Sequence, residues 1–89
     1  MRIHPDFTIQ KVGASSYVAV PVGKTSVTFH AMIRLNETGA FLWQKMAERD
    51  CTEEDLVAAL LEVYEIDAET AKADVHRIVE TLREGRVFA

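Results

Sequence analysis

The sequence contains a single cysteine, Cys51, and therefore cannot form an internal disulfide. A domain this small would often need disulfides outside the cell, so their absence favours the cytoplasm. The chain also lacks an uninterrupted apolar run of about 18 residues, the length that could span a bilayer. Its first residues, Met1 to Asp6, lack the apolar region of a secretion signal. We therefore predict a cytoplasmic protein that has no membrane partner.

Recognisable catalytic motifs are also absent. There is no Gly-x-Ser-x-Gly, no phosphate-binding glycine loop, no His-Glu-x-x-His and no cysteine pair. The histidines His4, His30 and His76 are too scattered for a recognisable metal motif. Cys51 lies among carboxylates, which do not activate a thiol, and we interpret it as unreactive. These absences predict a protein that is not an enzyme and that binds no metal and no cofactor.

Blocks of like charge and low-complexity tracts are missing too, so we predict one ordered domain over residues 1–89. The charge is nevertheless uneven. Residues 1–50 carry six Lys or Arg against four Asp or Glu, whereas residues 51–89 carry four against ten. A nucleic-acid binder needs cations on the element that meets phosphate. The acidic half is here the predicted helical half, so we expect no nucleic-acid partner.

The segment from Val27 to Gly39 is the most informative part of the chain, because strand-like alternation gives way there to helical spacing. Asn36 ends the alternation and is placed to cap a helix, with Glu37 favourable in its first turn. Residues 7–12 and 17–22 also have the pattern of strands. Short connections favour antiparallel neighbours, so we predict a three-stranded meander whose third strand, 27–35, lies at an edge. The alternating apolar residues of that strand are Val27, Phe29, Ala31, Ile33 and Leu35.

Three helices are predicted to follow the strands. The first runs from about Glu37 to Arg49. The second begins after Thr52, with Asp55 completing a capping box, and the third begins after Asp67 and ends at Gly85. Three strands with one apolar face are not stable alone, so we expect the helices to pack on that face. The predicted fold is α+β, a three-stranded antiparallel sheet followed by three helices, with winged-helix-like character.

Two features that resemble ligand sites have simpler structural explanations. Trp43, the only tryptophan, lies beside Phe41 and Leu42 and is predicted to anchor the core. Asn36 is explained as a helix cap, and Gly39 in the first helical turn would allow a close approach to the sheet. We therefore predict a structural role for this junction.

The ordered motifs of the chain resemble those of the coenzyme PQQ synthesis protein D (PqqD) family. The first is Leu35-Asn36-Glu37-Thr38-Gly39, followed by Phe41-Leu42-Trp43. The resemblance covers about two-thirds of the chain in the right order. The first 26 residues carry no family signature. The later motifs are Thr52-Glu53-Glu54-Asp55-Leu56, Leu60 to Tyr64, Ile66-Asp67 and Leu82-Arg83-Glu84-Gly85.

The resemblance implies a non-catalytic adaptor that binds the leader segment of a ribosomally made precursor peptide. The adaptor would present the peptide to a modifying enzyme, often a radical S-adenosylmethionine protein. The leader would add to the third strand, with its apolar residues in the cleft beside the third helix. His30 and Arg34 could meet an acidic leader side chain. The implied peptide-binding residues are Thr28, Phe29, His30, Ala31, Met32, Ile33 and Arg34 on the strand, and whichever of Val75, His76, Val79 and Leu82 face the cleft.

Two alternatives share the same predicted fold. A winged-helix nucleic-acid binder has the same elements, although the third helix, Ala68 to Glu84, has more carboxylates than cations. A regulatory module could instead form a homodimer through the edge strand. That dimer could coexist with leader binding, because an exposed edge pairs readily with itself.

Overall fold

The computed structural model of the protein describes residues 1–22 and 33–89. Three strands come first, β1 (Phe7–Val12), β2 (Ser16–Pro21) and β3 (Ile33–Leu35). Three helices follow, α1 (Glu37–Glu48), α2 (Glu53–Val63) and α3 (Ala68–Glu84). The predicted α+β fold is confirmed. The part of the predicted third strand before Ile33 lies outside the described residues.

The sheet is antiparallel, in the order β1-β2-β3. Ala19 of β2 lies between Ile9 of β1 and Ile33 of β3. Ala19, Ile33 and Leu35 are buried, whereas Arg34 is exposed. This alternation is the two-residue period of a half-buried strand. In the described part of the sheet, β3 therefore pairs with β2 and forms an edge.

Side-chain caps begin α2 and α3 at the predicted residues. The Thr52 hydroxyl accepts from the Asp55 N–H at 3.1 Å, and the Asp55 carboxylate accepts from the Thr52 N–H at 2.9 Å. Asp67 accepts from the Thr70 N–H at 2.7 Å. Hydrogen bonds from these backbone N–H groups hold the pKa values of Asp55 and Asp67 below their ordinary value of 3.8. Each cap satisfies a backbone donor that has no partner within its helix.

The three helices bury their apolar stripes in one core with the inner face of the sheet. Trp43 is only 2% exposed, which confirms its predicted core position. Leu42 and Met46 flank it on α1, and Leu56 and Leu60 enter the core from α2. The buried stripe of α3 consists of Ala71, Val75, Ile78, Val79 and Leu82.

Gly85 ends α3 where the sequence predicted a C-cap, but with a right-handed conformation (φ −76°). The left-handed position belongs to the next residue, Arg86, with φ 58°. Gly85 is needed for a different reason, because a Cβ there would overlap the Cδ1 atom of Ile33. The end of α3 thus rests directly on β3.

The two ends of the described chain meet on one side of the molecule. Ile3 forms an isolated antiparallel bridge with Phe88, and its N–H donates to the Met46 carbonyl at 3.0 Å. Ile3 and Val87 are both buried. Among the described residues, no helix combines the length and the apolar character needed to cross a membrane.

Candidate functional site

The register of the sheet determines which main-chain groups face its open edge. The Val22 N–H donates to the Asp6 carbonyl at 2.7 Å, in the same antiparallel register as β1 and β2. Successive residues of an antiparallel strand direct their N–H and C=O groups to opposite sides. The even-numbered residues of β2 therefore bond to β1, and the odd-numbered residues face β3.

On β3 the same alternation leaves one described residue facing outward. Leu35 lies opposite Tyr17, and Ile33 lies opposite Ala19. Their main-chain groups face β2, because their partners are odd-numbered residues. The N–H and C=O of Arg34 consequently point away from β2, toward the edge of the described sheet.

A depression of about 140 Å³ lies between this edge and α3. A closed cavity of about 150 Å³ with apolar walls is large enough to bind benzene, so the depression has room for one apolar side chain of that size. The strand and the helix supply its two walls. Its lining residues are Arg34, Leu35 and Asn36 at the end of β3, and Arg77, Ile78 and Thr81 on α3.

The depression has an apolar floor and a cationic rim. Leu35 and Ile78 are 6% and 3% exposed, so they form the floor. Arg34 and Arg77 are exposed at the rim. One Arg77 nitrogen, Nη2, lies 3.6 Å from Asp74 Oδ1, a surface pair that water screens. Charge and shape together suit a peptide side chain that is apolar, next to one that is acidic.

The first turn of α1 holds the floor residues in place. The Asn36 side chain accepts from the Gly39 N–H at 2.8 Å, which confirms the predicted cap. A Cβ atom on Gly39 would lie 3.2 Å from both Leu35 Cδ2 and Ile78 Cδ1. Such distances are tighter than ordinary van der Waals contact. Glycine at this position thus lets α1 approach both floor residues closely.

The predicted strand residues fall into two groups. Thr28, Phe29, His30, Ala31 and Met32 lie outside the described residues. Ile33 and Arg34 lie on β3, where the Ile33 side chain enters the core and Arg34 faces outward. Contact of these residues with a peptide stays a prediction.

The predicted helix residues do not line the depression. Val75, Val79 and Leu82 are 0% exposed and belong to the core. His76 is exposed, but its Nδ1 lies 3.3 Å from Glu53 Oε1 of α2. With about 100° per residue, His76 lies on the flank of the buried stripe opposite to Thr81. Arg77 and Thr81, which line the depression, were not among the predicted residues, because the pattern of apolar residues does not tell which flank of α3 adjoins β3. Contact of the predicted helix residues with a peptide stays a prediction.

A larger depression, of about 520 Å³, lies beside the meeting point of the chain ends. The main chain there is already paired. The His4 N–H donates to the Val87 carbonyl at 2.8 Å, and the Ala89 N–H donates to the Arg2 carbonyl at 2.9 Å. This larger depression therefore lacks the open strand edge that makes the smaller one a candidate peptide site.

Comparisons with known proteins agree with this fold. The family model of coenzyme PQQ synthesis protein D (PqqD) matches residues 17–87. The structure is similar to that of TbiB1 in complex with the TbiA(beta) leader peptide, with 18% sequence identity and a TM-score of 0.70 over 98% of this chain and 93% of that chain. It is also similar to a lasso peptide synthetase B1 complexed with the leader peptide, with 22% identity and a TM-score of 0.65 over 93% of this chain and 89% of that chain. No curated protein matches the sequence.

Proposed function

The chain belongs to the PqqD family, and from this premise we propose that it is a non-catalytic adaptor for a ribosomally made precursor peptide. It binds the leader segment and presents the rest of the peptide to a modifying enzyme in the cytoplasm. The enzyme is a radical S-adenosylmethionine protein, as is frequent in the family. The adaptor itself uses no cofactor.

The open edge of β3 beside α3 is the observation that supports this proposal most directly. The main chain of Arg34 offers one N–H and one C=O, which a leader strand can pair with. Residues Thr28 to Met32 precede β3 and extend the proposed contact along the leader. Strand addition draws affinity from main-chain hydrogen bonds, so it accepts many side chains at the positions that face solvent.

The depression supplies the selectivity of the proposed site. An apolar leader residue enters it and covers Leu35 and Ile78. An acidic leader residue nearby pairs with Arg34, which is exposed at the rim. This charged contact lies at the surface and contributes modestly, so the apolar residue carries more of the binding energy.

Two observations support a leader peptide as the ligand. The structural neighbours TbiB1 and the lasso peptide synthetase B1 each hold a leader peptide, and both have the fold of this chain. The family match covers β3, the helices and thus every lining residue of the depression. An adaptor of this kind acts by tethering, because it raises the concentration of the peptide near the enzyme.

The nucleic-acid alternative is not favoured by the charges of α3. Arg77 pairs with Asp74, and Arg83 pairs with Glu80, each one turn earlier on the helix. The carboxylates beside these cations would repel phosphate. A recognition helix for nucleic acid presents unpaired cations along one face.

A calorimetric titration with the leader of the precursor encoded beside the gene tests the proposal. A scrambled leader of the same composition is the control. We expect saturable binding of the true leader and none of the scrambled one. Absence of binding by the folded protein to any neighbouring leader would contradict the proposal. A stable dimer through β3 that excludes the leader would also contradict it.

A further inference from the structure

A second apolar surface lies on α2, away from β3. Leu61 is 42% exposed there, one of four large apolar side chains in the described residues with such exposure. It borders an open groove of about 370 Å³ between α2 and the first half of α3. The groove is lined by Val57, Ala58 and Leu61, with Glu53, Glu54 and Lys72 around them. We call these six residues the α2 surface.

The α2 surface is apolar at its centre and acidic at its rim. Leu61 lies four residues after Val57 and three residues after Ala58, and both spacings bring side chains to the same face of a helix. Glu53 and Glu54 lie in the first turn of α2, and Lys72 is the only cation of the lining. The surrounding half of the chain, residues 51–89, carries ten Asp or Glu and four Lys or Arg.

This charge determines what can cover the groove. A second copy of the chain would bring another surface with two carboxylates and one cation, so Lys72 could offset only one of Glu53 and Glu54 on each side, and the remaining like charges cost free energy. Phosphate groups of a membrane or a nucleic acid would be repelled in the same way. A protein with an apolar contact surrounded by Lys or Arg is complementary in both respects.

We propose that the α2 surface docks the modifying enzyme, through an enzyme surface that is apolar at its centre and basic at its rim. This inference rests on the proposed function, because it takes an enzyme as the recipient of the leader. It adds a second binding site, which the leader does not occupy.

The two sites lie on different sides of α3, so both can be occupied together. Lys72 belongs to the α2 surface, whereas Arg77 and Thr81 line the depression beside β3. At about 100° per residue, Arg77 and Thr81 lie roughly 140° and 180° around the helix from Lys72. The leader and the enzyme therefore do not compete, and one adaptor can hold both. Two simultaneous contacts allow each to be modest.

The test measures binding of the purified enzyme encoded beside the gene, by calorimetry, to the adaptor and its variants. Leu61→Lys removes an apolar contact and places a cation against the basic rim. Val63→Lys is the matched control, because Val63 is 60% exposed on the same helix but does not line the groove. We expect Leu61→Lys to weaken enzyme binding at least tenfold and Val63→Lys to leave it unchanged. Ala58→Lys, also exposed in the groove, gives the same readout if Leu61→Lys does not fold.

A second pair of variants tests the charge. Glu54→Lys reverses a rim carboxylate, and Glu37→Lys reverses an exposed carboxylate in the first turn of α1. Both lose a similar interaction with a helix dipole, so their effects on stability are comparable. We expect only Glu54→Lys to weaken enzyme binding, by several-fold. Binding of the unchanged protein should also weaken as salt rises, because salt screens rim charges.

The outcomes separate this inference from the proposed function. If Leu61→Lys and Ala58→Lys bind the enzyme as the unchanged protein does, the docking inference is overturned and the proposed function stands. If the leader binds but the enzyme does not bind the adaptor at all, both the docking inference and the presentation step are overturned. Sedimentation that shows a dimer dissociated by Leu61→Lys would overturn the docking inference as well. If the leader itself fails to bind, the proposed function fails instead. Leader affinity should be the same in Leu61→Lys, Ala58→Lys and Glu54→Lys as in the unchanged protein.

Discussion

Replacement of Arg34 by proline should abolish or strongly weaken leader binding while the fold survives. The Arg34 N–H points away from β2, so proline removes no hydrogen bond of the described sheet. Proline is tolerated on edge strands for this reason, and the preceding residue, Ile33, already has the extended conformation that proline favours. The variant therefore separates binding from folding.

The expected loss follows from one hydrogen bond and one blocked approach. A hydrogen bond contributes about 0.5–1.5 kcal/mol net, and a buried carbonyl of the leader left without its donor costs about 1–3 kcal/mol. The proline ring also occupies the space that the leader strand would approach. A loss of about 1.5–3 kcal/mol corresponds to a Kd roughly 10 to 150 times higher.

Two controls identify the cause. Arg34→Ala keeps the N–H and removes the guanidinium, so it should weaken binding less than proline does. Lys11→Pro places proline at the opposite edge of the sheet, because odd-numbered residues of β1 face away from β2. It should leave leader affinity unchanged. Calorimetry gives the affinities, and thermal unfolding shows that each variant is folded.

The result that would refute this reasoning is a folded Arg34→Pro variant with unchanged affinity for the leader. Equal losses in Arg34→Pro and Arg34→Ala would also refute it, because the side chain rather than the main chain would then carry the contact. A loss in Lys11→Pro equal to that in Arg34→Pro would indicate general damage to the sheet.

Three further predictions concern the framework of the site. Gly85→Ala should lower the free energy of unfolding, measured with urea, by about 1–3 kcal/mol, because its methyl group must displace Ile33. An unchanged urea midpoint would show that Ile33 and β3 shift without a cost in stability. Thr52→Ala should lower the free energy of unfolding by about 1 kcal/mol, because the α2 cap is lost, whereas Thr52→Ser should retain most of the stability that the cap provides. The lowered pKa of Asp67 stabilises the fold fully above its ordinary value of 3.8, and this stability is lost as the pH falls through the lower folded value. Below pH 4, the midpoint of thermal unfolding should thus fall less steeply with decreasing pH in Asp67→Asn than in the unchanged protein. Equal slopes in the two proteins would contradict the role of the Asp67 cap.

Local signals made most of the fold predictable from the sequence. A helix cap is decided within three residues, so Asn36, Thr52 and Asp67 could be identified without knowledge of the rest of the molecule. The position of Trp43 in the core followed from the apolar residues Phe41 and Leu42 beside it in the predicted helix. These predictions depend on short-range geometry, which the order of residues determines.

The candidate site was less predictable, because it depends on how distant elements face each other. The apolar stripe of α3 indicated which side is buried, but Val75, Val79 and Leu82 lie too deep to line a surface. The flank of α3 that adjoins β3 depends on the angle at which α3 crosses the sheet. This angle brings Arg77 to the rim of the depression. The outward direction of the Arg34 main chain depends on the pairing of β1 with β2. The alternation of apolar and polar side chains along a strand does not show which of its two edges pairs with the neighbouring strand.

The junction of β3 with α1 has a consequence for the energetics of recognition. Only Asn36 separates the last residue of β3 from the first residue of α1, and its side chain is bonded to Gly39. Leu35 belongs to the same buried core as Ile78, and Gly39 in the first turn of α1 lies close to both side chains. The cap and the core therefore hold this end of β3 in one conformation, to which a ligand must fit. The conformational entropy lost on binding here falls on the leader peptide, so a leader stiffened into an extended strand before binding should bind more tightly than a flexible one.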